Sequence, residues 1–250
     1  MTIETENDLK GLKRIGRIVG QALQEMASQV RPGMTTAELD EIARRLLARA
    51  GARSAPMLVY GFPGSACISL NDEAAHGIPG PRAIRPGDLV NIDLSAELDG
   101  FFADSALTVL VPPLDPLKRK LCGCARSALR RGIDAAVAGA PISAIGAACE
   151  AEARRCGFNI IRDLPGHGVG RGLHEAPTVP GFYAPGASQP LAEGLVITVE
   201  PFLTTGATRV VEQPNGWTLK TRDGSLSAQY EHTIVITRGA PLIITAVETF

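Results

Sequence analysis

The chain has 250 residues, 45% of them hydrophobic, and a formal net charge of −1. That length fits one large domain or two small ones, and the apolar share is enough for a sizeable core. The balanced charge argues against nucleic-acid or membrane-surface binding driven by bulk charge, and no apolar run reaches the ~18 residues of a membrane span.

Met1 to Lys10 is polar and acidic, unlike a secretory signal. Leu9, Leu12, Ile15, Ile18, Val19, Ala22, Leu23 and Met26 then recur at helical spacing, which predicts a helix over 7–30 ended by Pro32-Gly33. Thr35 and Glu38 form a capping box, since a threonine hydroxyl accepts a helix-start N–H while a glutamate three residues on reaches back. A second helix follows to about Ala50, with Gly51 as its stop. Residues 57–111 read as short strands rich in Val, Ile and Leu.

The order then repeats. A helix is predicted over 116–138, and Ser143 is placed to cap another that runs to about Arg155, with Gly157 after it. Strands are predicted at 158–162, 195–203, 207–212, 217–221 and 228–237, and Ala176 to Pro190 reads as a surface loop. Five cysteines (Cys67, Cys122, Cys124, Cys149 and Cys156) are expected as reduced thiols of a cytoplasmic protein. Cys122 and Cys124 lack a second pair at zinc-finger spacing, so packing is their expected role. Each half thus reads helix, helix, strands. No linker divides them, so the expectation is one α+β domain over residues 1–250, with halves of about 1–112 and 113–250.

Chemistry concentrates in a few places. Leu89 to Val111 is a hairpin signal with Asp99-Gly100 as a two-residue turn, because both positions tolerate positive φ. That turn pairs Leu98 with Phe101 and Ser95 with Asp104, which puts Asp93 and Asp104 diagonally on one face among Ile92, Leu94, Phe102 and Ala103. Two buried carboxylates at that spacing either share a proton or neutralise a cation. His76, His167, His174 and His232 are the only histidines, and His167 and His174 lie in the glycine-rich run Gly166-His-Gly-Val-Gly-Arg-Gly-Leu-His174. Glu200 ends an apolar strand and Glu231 opens another, where an unpaired carboxylate is costly. Two acids from each half and one imidazole form an oxygen-rich donor set suited to a pair of divalent transition ions. The glycine run lacks the Gly-Lys-Ser/Thr of a phosphate loop, and neither Ser65 nor Ser105 sits in a G-x-S-x-G elbow.

Gly61-Phe-Pro-Gly-Ser-Ala-Cys-Ile-Ser-Leu-Asn71, His76-Gly-Ile-Pro79, Val90-Asn-Ile-Asp93 with Asp104, Gly166 to His174, Gly216-Trp-Thr and Ser227-Ala-Gln-Tyr-Glu-His-Thr233 together resemble the type I methionine aminopeptidases in their short bacterial form. The resemblance covers essentially the whole chain. It implies the pita-bread fold, with two pseudo-symmetric helix-helix-sheet halves. It implies metal ligands at Asp93, Asp104, His167, Glu200 and Glu231, holding two ions of cobalt, manganese, iron or zinc. His76 would contact the scissile-bond nitrogen or the substrate backbone, His174 would polarise the scissile carbonyl, and Glu200 would double as a proton shuttle. Phe62, Cys67 and Trp217, with Tyr60 and Leu173 nearby, would form the methionine pocket. Relatives often carry His at the position of Tyr60 and an aromatic at that of Leu173, so side-chain preference at the rim is where this chain departs.

The activity implied is removal of initiator methionine from nascent polypeptides with a small second residue. The implied enzyme is a cytoplasmic monomer with transient ribosome contact and with neither membrane nor specific nucleic acid as partner. The rivals are a prolidase or other aminopeptidase of the same fold, a non-catalytic relative that binds ribosome or RNA, and a nucleotide-binding enzyme.

Overall fold

Thr5 and Asp8 cap the first helix reciprocally, and the computed structural model, which describes residues 1–247, has α1 over Glu6–Gln29. Leu12, Ile15, Val19 and Met26 lie fully buried along one stripe of α1, each side chain contributing roughly 1.5–3 kcal/mol relative to exposure. The box at Thr35 and Glu38 opens α2 (Thr36–Ala50), and Gly51 closes it at φ 71°, a left-handed conformation that glycine adopts without strain. Then come β1 (Arg53–Ser54), α3 (Ala55–Tyr60), β2 (Cys67–Leu70), β3 (Glu73–Ala75), β4 (Leu89–Leu98) and β5 (Phe101–Leu110). The second half holds α4 (Pro116–Ala135), α5 (Ser143–Cys156), β6 (Asn159–Ile160), β7 (Gly166–Gly168), β8 (Glu175–Val179), β9 (Val196–Val199), β10 (Phe202–Thr204), β11 (Val210–Glu212), β12 (Leu219–Thr221), β13 (Ser227–Gln229), β14 (His232–Val235) and β15 (Leu242–Ile243).

Several expectations need correction. Residues 57–60 are the end of a short helix, not strand, because Pro56 pre-sets the φ of a first helical turn and Gly61 closes it at φ 68°. The third long helix stops at Ala135 rather than 138. Ser143 is the first helical residue, and its side chain makes no cap, because Ile142 already has right-handed helical angles. The run 195–203 splits into β9 and β10 around Glu200-Pro201, and 228–237 splits into β13 and β14 around Tyr230-Glu231. Part of the expected loop at 176–190 is instead strand β8, paired with β7.

Among the described residues the strands form four sheets. The central one in the first half has the order β1-β4-β2 with β5 on β4, and the largest in the second half has the order β15-β14-β9-β7-β8. One apolar core joins α1 and α2 to the β4–β5 hairpin, and a second joins α4 and α5 to β9 and β14. Polar bonds stitch the halves together where β5 meets the second half. Asp104 and Thr233 exchange bonds, with Asp104 N–H donating to Thr233 Oγ1 at 2.9 Å and Thr233 Oγ1–H donating to the Asp104 carbonyl at 2.7 Å. Ser105 Oγ donates to the Glu231 carbonyl at 2.7 Å, and Glu231 N–H donates to the Ala106 carbonyl at 2.9 Å. These bonds fix Asp104 against Glu231. Among the described residues no helix is long and apolar enough to cross a membrane.

Candidate active site

The β4–β5 register is the expected one, with Leu98 opposite Phe101 and Ser95 opposite Asp104. Asp99 and Gly100 take φ 52° and 79° in the turn. Asp93 and Asp104 therefore share a face. From the second half, β7 presents His167, and Glu200 follows the last residue of β9, where Pro201, lacking an N–H, interrupts the ladder. Glu231 stands in the break before β14.

These five side chains converge. Ligand atoms of Asp104, His167 and Glu231 all lie within 4.8 Å of one another. His167 Nε2 is 3.5 Å from Glu200 Oε1 and 3.9 Å from Asp104 Oδ2. Asp93 and Asp104 lie close enough for each to shift the other's titration. Burial pushes the Asp93 carboxyl up to about 6, opposed by bonds from Asp104 and Gln229. Burial, then the charges of Asp93 and Glu200, carries Asp104 well above the usual carboxylate range. Glu231 is raised well above it by burial and then by Asp104, Glu200 and Asp93. Glu200 is raised too, by burial and Asp93, against a bond from Thr198. Burial, with His174 close by, drops His167 to about 4, so its imidazole is neutral and free to ligate.

The cluster fits divalent cations. Four carboxylates cannot all stay ionised in so dry a place without compensating positive charge. Among the described residues five buried side-chain polar atoms lack any hydrogen-bond partner, and two of them are Asp104 Oδ1 and Glu231 Oε1. Buried oxygens are rarely left unpaired. Carboxylate oxygens with one neutral imidazole are the donors that divalent transition ions take.

A pocket of about 690 Å³ opens onto this cluster, lined by Asp93, Asp104, His167 and Glu200 together with Tyr60, Phe62, Cys67, His76, Leu173, His174 and Trp217. Glu231, 1% exposed, is not on the pocket wall but behind it. Phe62 and Trp217 meet edge to face at 5.2 Å. Cys67 lies opposite Asp93 in the β2–β4 register, and burial followed by that carboxylate keeps its thiol protonated. The resulting wall is apolar and polarisable. His76 sits at φ 54°, an uncommon angle for a non-glycine residue and one that recurs at functional sites. The glycines beside the histidines serve close approach of backbone to backbone. A Cβ on Gly77 or on Gly168 would lie 2.2 Å from the carbonyl oxygen of Ile68 or of Ala176 respectively.

Some supporting residues carry no expectation from sequence. Thr198 Oγ1 donates to Glu200 Oε1 at 2.6 Å and accepts from His167 N–H at 2.9 Å, so it aims both. Gln229 Nε2 donates to Glu231 Oε2 at 3.1 Å. Each stands two residues before the acid it holds, the period that puts side chains on one strand face, and that spacing was the available signal. Glu175 accepts from the Arg171 N–H at 2.7 Å, from the Gly172 N–H and from the Met1 amino group, which tightens the loop carrying Leu173 and His174.

The methionine aminopeptidase 2 of Bacillus subtilis (strain 168) is 47% identical over 247 residues, spanning 98% of this chain and 99% of that one. The crystal structure of a methionine aminopeptidase from Thermotoga maritima superposes with a TM-score of 0.95 at 32% identity, covering 99% of this chain and 100% of that chain. A prolidase from Pyrococcus furiosus reaches a TM-score of 0.77 at 22% identity over 66% of its own length, a likeness of fold alone. The fold is the pita-bread fold. With the sequence profile of metallopeptidase family M24 matching residues 10–238 as well, this chain belongs to metallopeptidase family M24.

Proposed function

We propose that this chain is a methionine aminopeptidase that removes the initiator methionine from nascent polypeptides and favours a small second residue. The observation that carries the reading is the convergence of four carboxylates, Asp104 and Glu231 buried and Asp93 and Glu200 partly so, with a neutral imidazole, drawn from both halves, beside an apolar wall of Phe62, Cys67, Leu173 and Trp217. Residues 1–250 act as one catalytic domain, since the candidate ligands come from both sides of the 112/113 boundary.

Asp93, Asp104, His167, Glu200 and Glu231 hold two divalent cations of cobalt, manganese, iron or zinc. When bound, these supply the positive charge that activates water for attack and stabilises the charge developing on the scissile carbonyl. The pocket wall takes the methionine side chain, with Tyr60 at the rim. His174 donates to the carbonyl oxygen as its charge develops. Glu200, steered by Thr198, takes a proton from the attacking water and passes it to the departing amine. His76, kept neutral by burial and by nearby His174, contacts the nitrogen of the scissile bond. The substrate's second residue lies beside the carboxylates, where only a small side chain fits. The protein acts as a monomer in the cytoplasm, where its five unpaired thiols stay reduced, with transient ribosome contact.

Assay of Met-Ala-Ser against an Xaa-Pro dipeptide tests this. The expected result is release of methionine from the first and no cleavage of the second. Preference for the proline substrate would assign the site to a prolidase instead.

A further inference from the structure

We propose that Tyr60 is a positioning residue that fixes the tautomer of His174. The inference rests on the reading of His174 as the donor to the scissile carbonyl. Tyr60 is the last residue of α3 and is 48% exposed, yet its hydroxyl lies 2.7 Å from His174 Nδ1. The two rings are 5.5 Å apart and tilted by 44°. The His174 ring also contacts that of His167, with centroids 4.2 Å apart. His174 thus contacts two rings on the pocket wall. Among the described residues its Nε2 has no protein hydrogen-bond partner.

A neutral imidazole has one N–H to place. Two arrangements compete at the Tyr60 contact. Either the phenol O–H donates to the Nδ1 lone pair, or Nδ1–H donates to the phenol oxygen. A phenol, with a pKa of about 10, is a far stronger acid than a neutral imidazole N–H, and the imidazole nitrogen is a far stronger base than a phenol oxygen. The O–H···N arrangement is therefore the stable one, and burial, which raises the Tyr60 pKa, keeps the phenol protonated. The His174 proton then sits on Nε2, the nitrogen left for substrate. The opposite tautomer would present a lone pair to an oxygen gaining negative charge and would repel it.

Tyr60→Phe removes only the hydroxyl of a half-exposed ring, so the fold is expected to hold, with an unchanged Tm as the check. With metal-loaded enzyme and Met-Ala-Ser at pH 8, kcat should fall roughly tenfold, the worth of one ordinary hydrogen bond, while KM changes less than twofold. Nitrogen-15 NMR of histidine-labelled protein loaded with zinc should show His174 protonated at Nε2 in the wild type and a mixture of tautomers in Tyr60→Phe. A wild-type His174 protonated at Nδ1 would overturn the proposal. So would a Tyr60→Phe variant with unchanged kcat, or one in which only KM rises, since either makes Tyr60 a passive part of the rim. His174→Ala measured in parallel separates the two readings. If its kcat is unchanged, the donor role of His174 fails, whatever the NMR says about Tyr60.

Discussion

At the scale of single residues, the candidate centre makes distinct demands on neighbouring side chains. Asp104 has one buried carboxylate oxygen with no protein partner and one 3.9 Å from His167. Asp104→Asn keeps the shape and halves the donor capacity, so turnover of Met-Ala-Ser should vanish even at saturating manganese. Near-normal activity in that variant would remove Asp104 from the ligand set. In the proposed role His174 donates one hydrogen bond to a developing oxyanion, so His174→Ala should lower kcat ~10²–10³-fold. A twofold change would leave it a wall residue. Gln229 touches the centre through its hydrogen bond to Glu231. Gln229→Leu should weaken metal binding about 10–100-fold, as loss of such an outer partner does, read by calorimetric titration of the chelator-stripped protein. An unchanged affinity would reduce Gln229 to packing.

At the scale of elements, the legible features were those with a local physical cause. The Asp99-Gly100 turn demands positive φ at two successive positions, and with it came the register that puts Asp93 and Asp104 on one face. The box at Thr35 and Glu38 and the stop at Gly51 fix α2 from three residues. Helix α3 stayed hidden because Met57-Leu-Val-Tyr60 is one apolar run in a six-residue helix, too short to show a period, with only Pro56 and Gly61 to mark its ends. Met57 to Tyr60 remain exposed, so burial of that run offered no help either. The break at Glu200-Pro201 has a local mark, since Pro201 cannot donate to a ladder, whereas nothing local marks the end of β13 before Tyr230-Glu231. The roles of Thr198 and Gln229 depend on contacts made only when distant strands meet. Strand pairing itself is testable at Gly168, where an added Cβ would fall 2.2 Å from the Ala176 carbonyl oxygen. Gly168→Ala should force β7 from β8 and cost about 1–3 kcal/mol in denaturant unfolding. A variant as stable as wild type would show that the pair has room to give.

For the whole molecule, stability and catalysis share the same cross-links between halves. With the proposed ligands drawn from both halves, metal binding favours the folded state by mass action, so chelation should lower the Tm and added manganese should restore it. Acid stability has a separate source in the second half. Glu152, 6% exposed, accepts from Ser127 Oγ at 2.6 Å and from Arg155 Nη2 at 2.7 Å. Hydrogen bonds from Arg155 and Ser127 hold its carboxyl down to about 2, against an ordinary 4.5. A folded pKa below the unfolded one means a contribution that is full above pH 4.5 and lost as pH falls toward 2. Glu152→Gln should therefore flatten the Tm profile across that window, whereas an unaltered acid limb would place the titrating group elsewhere.

The most direct measurement is the rate of methionine release from Met-Ala-Ser by chelator-stripped protein as manganese is added back under anaerobic conditions. The expected result is no detectable release at zero metal and recovery that saturates with bound ion, matched by metal analysis. Undiminished release from protein verified to hold no divalent ion would contradict the assignment of Asp93, Asp104, His167, Glu200 and Glu231 to a catalytic metal centre.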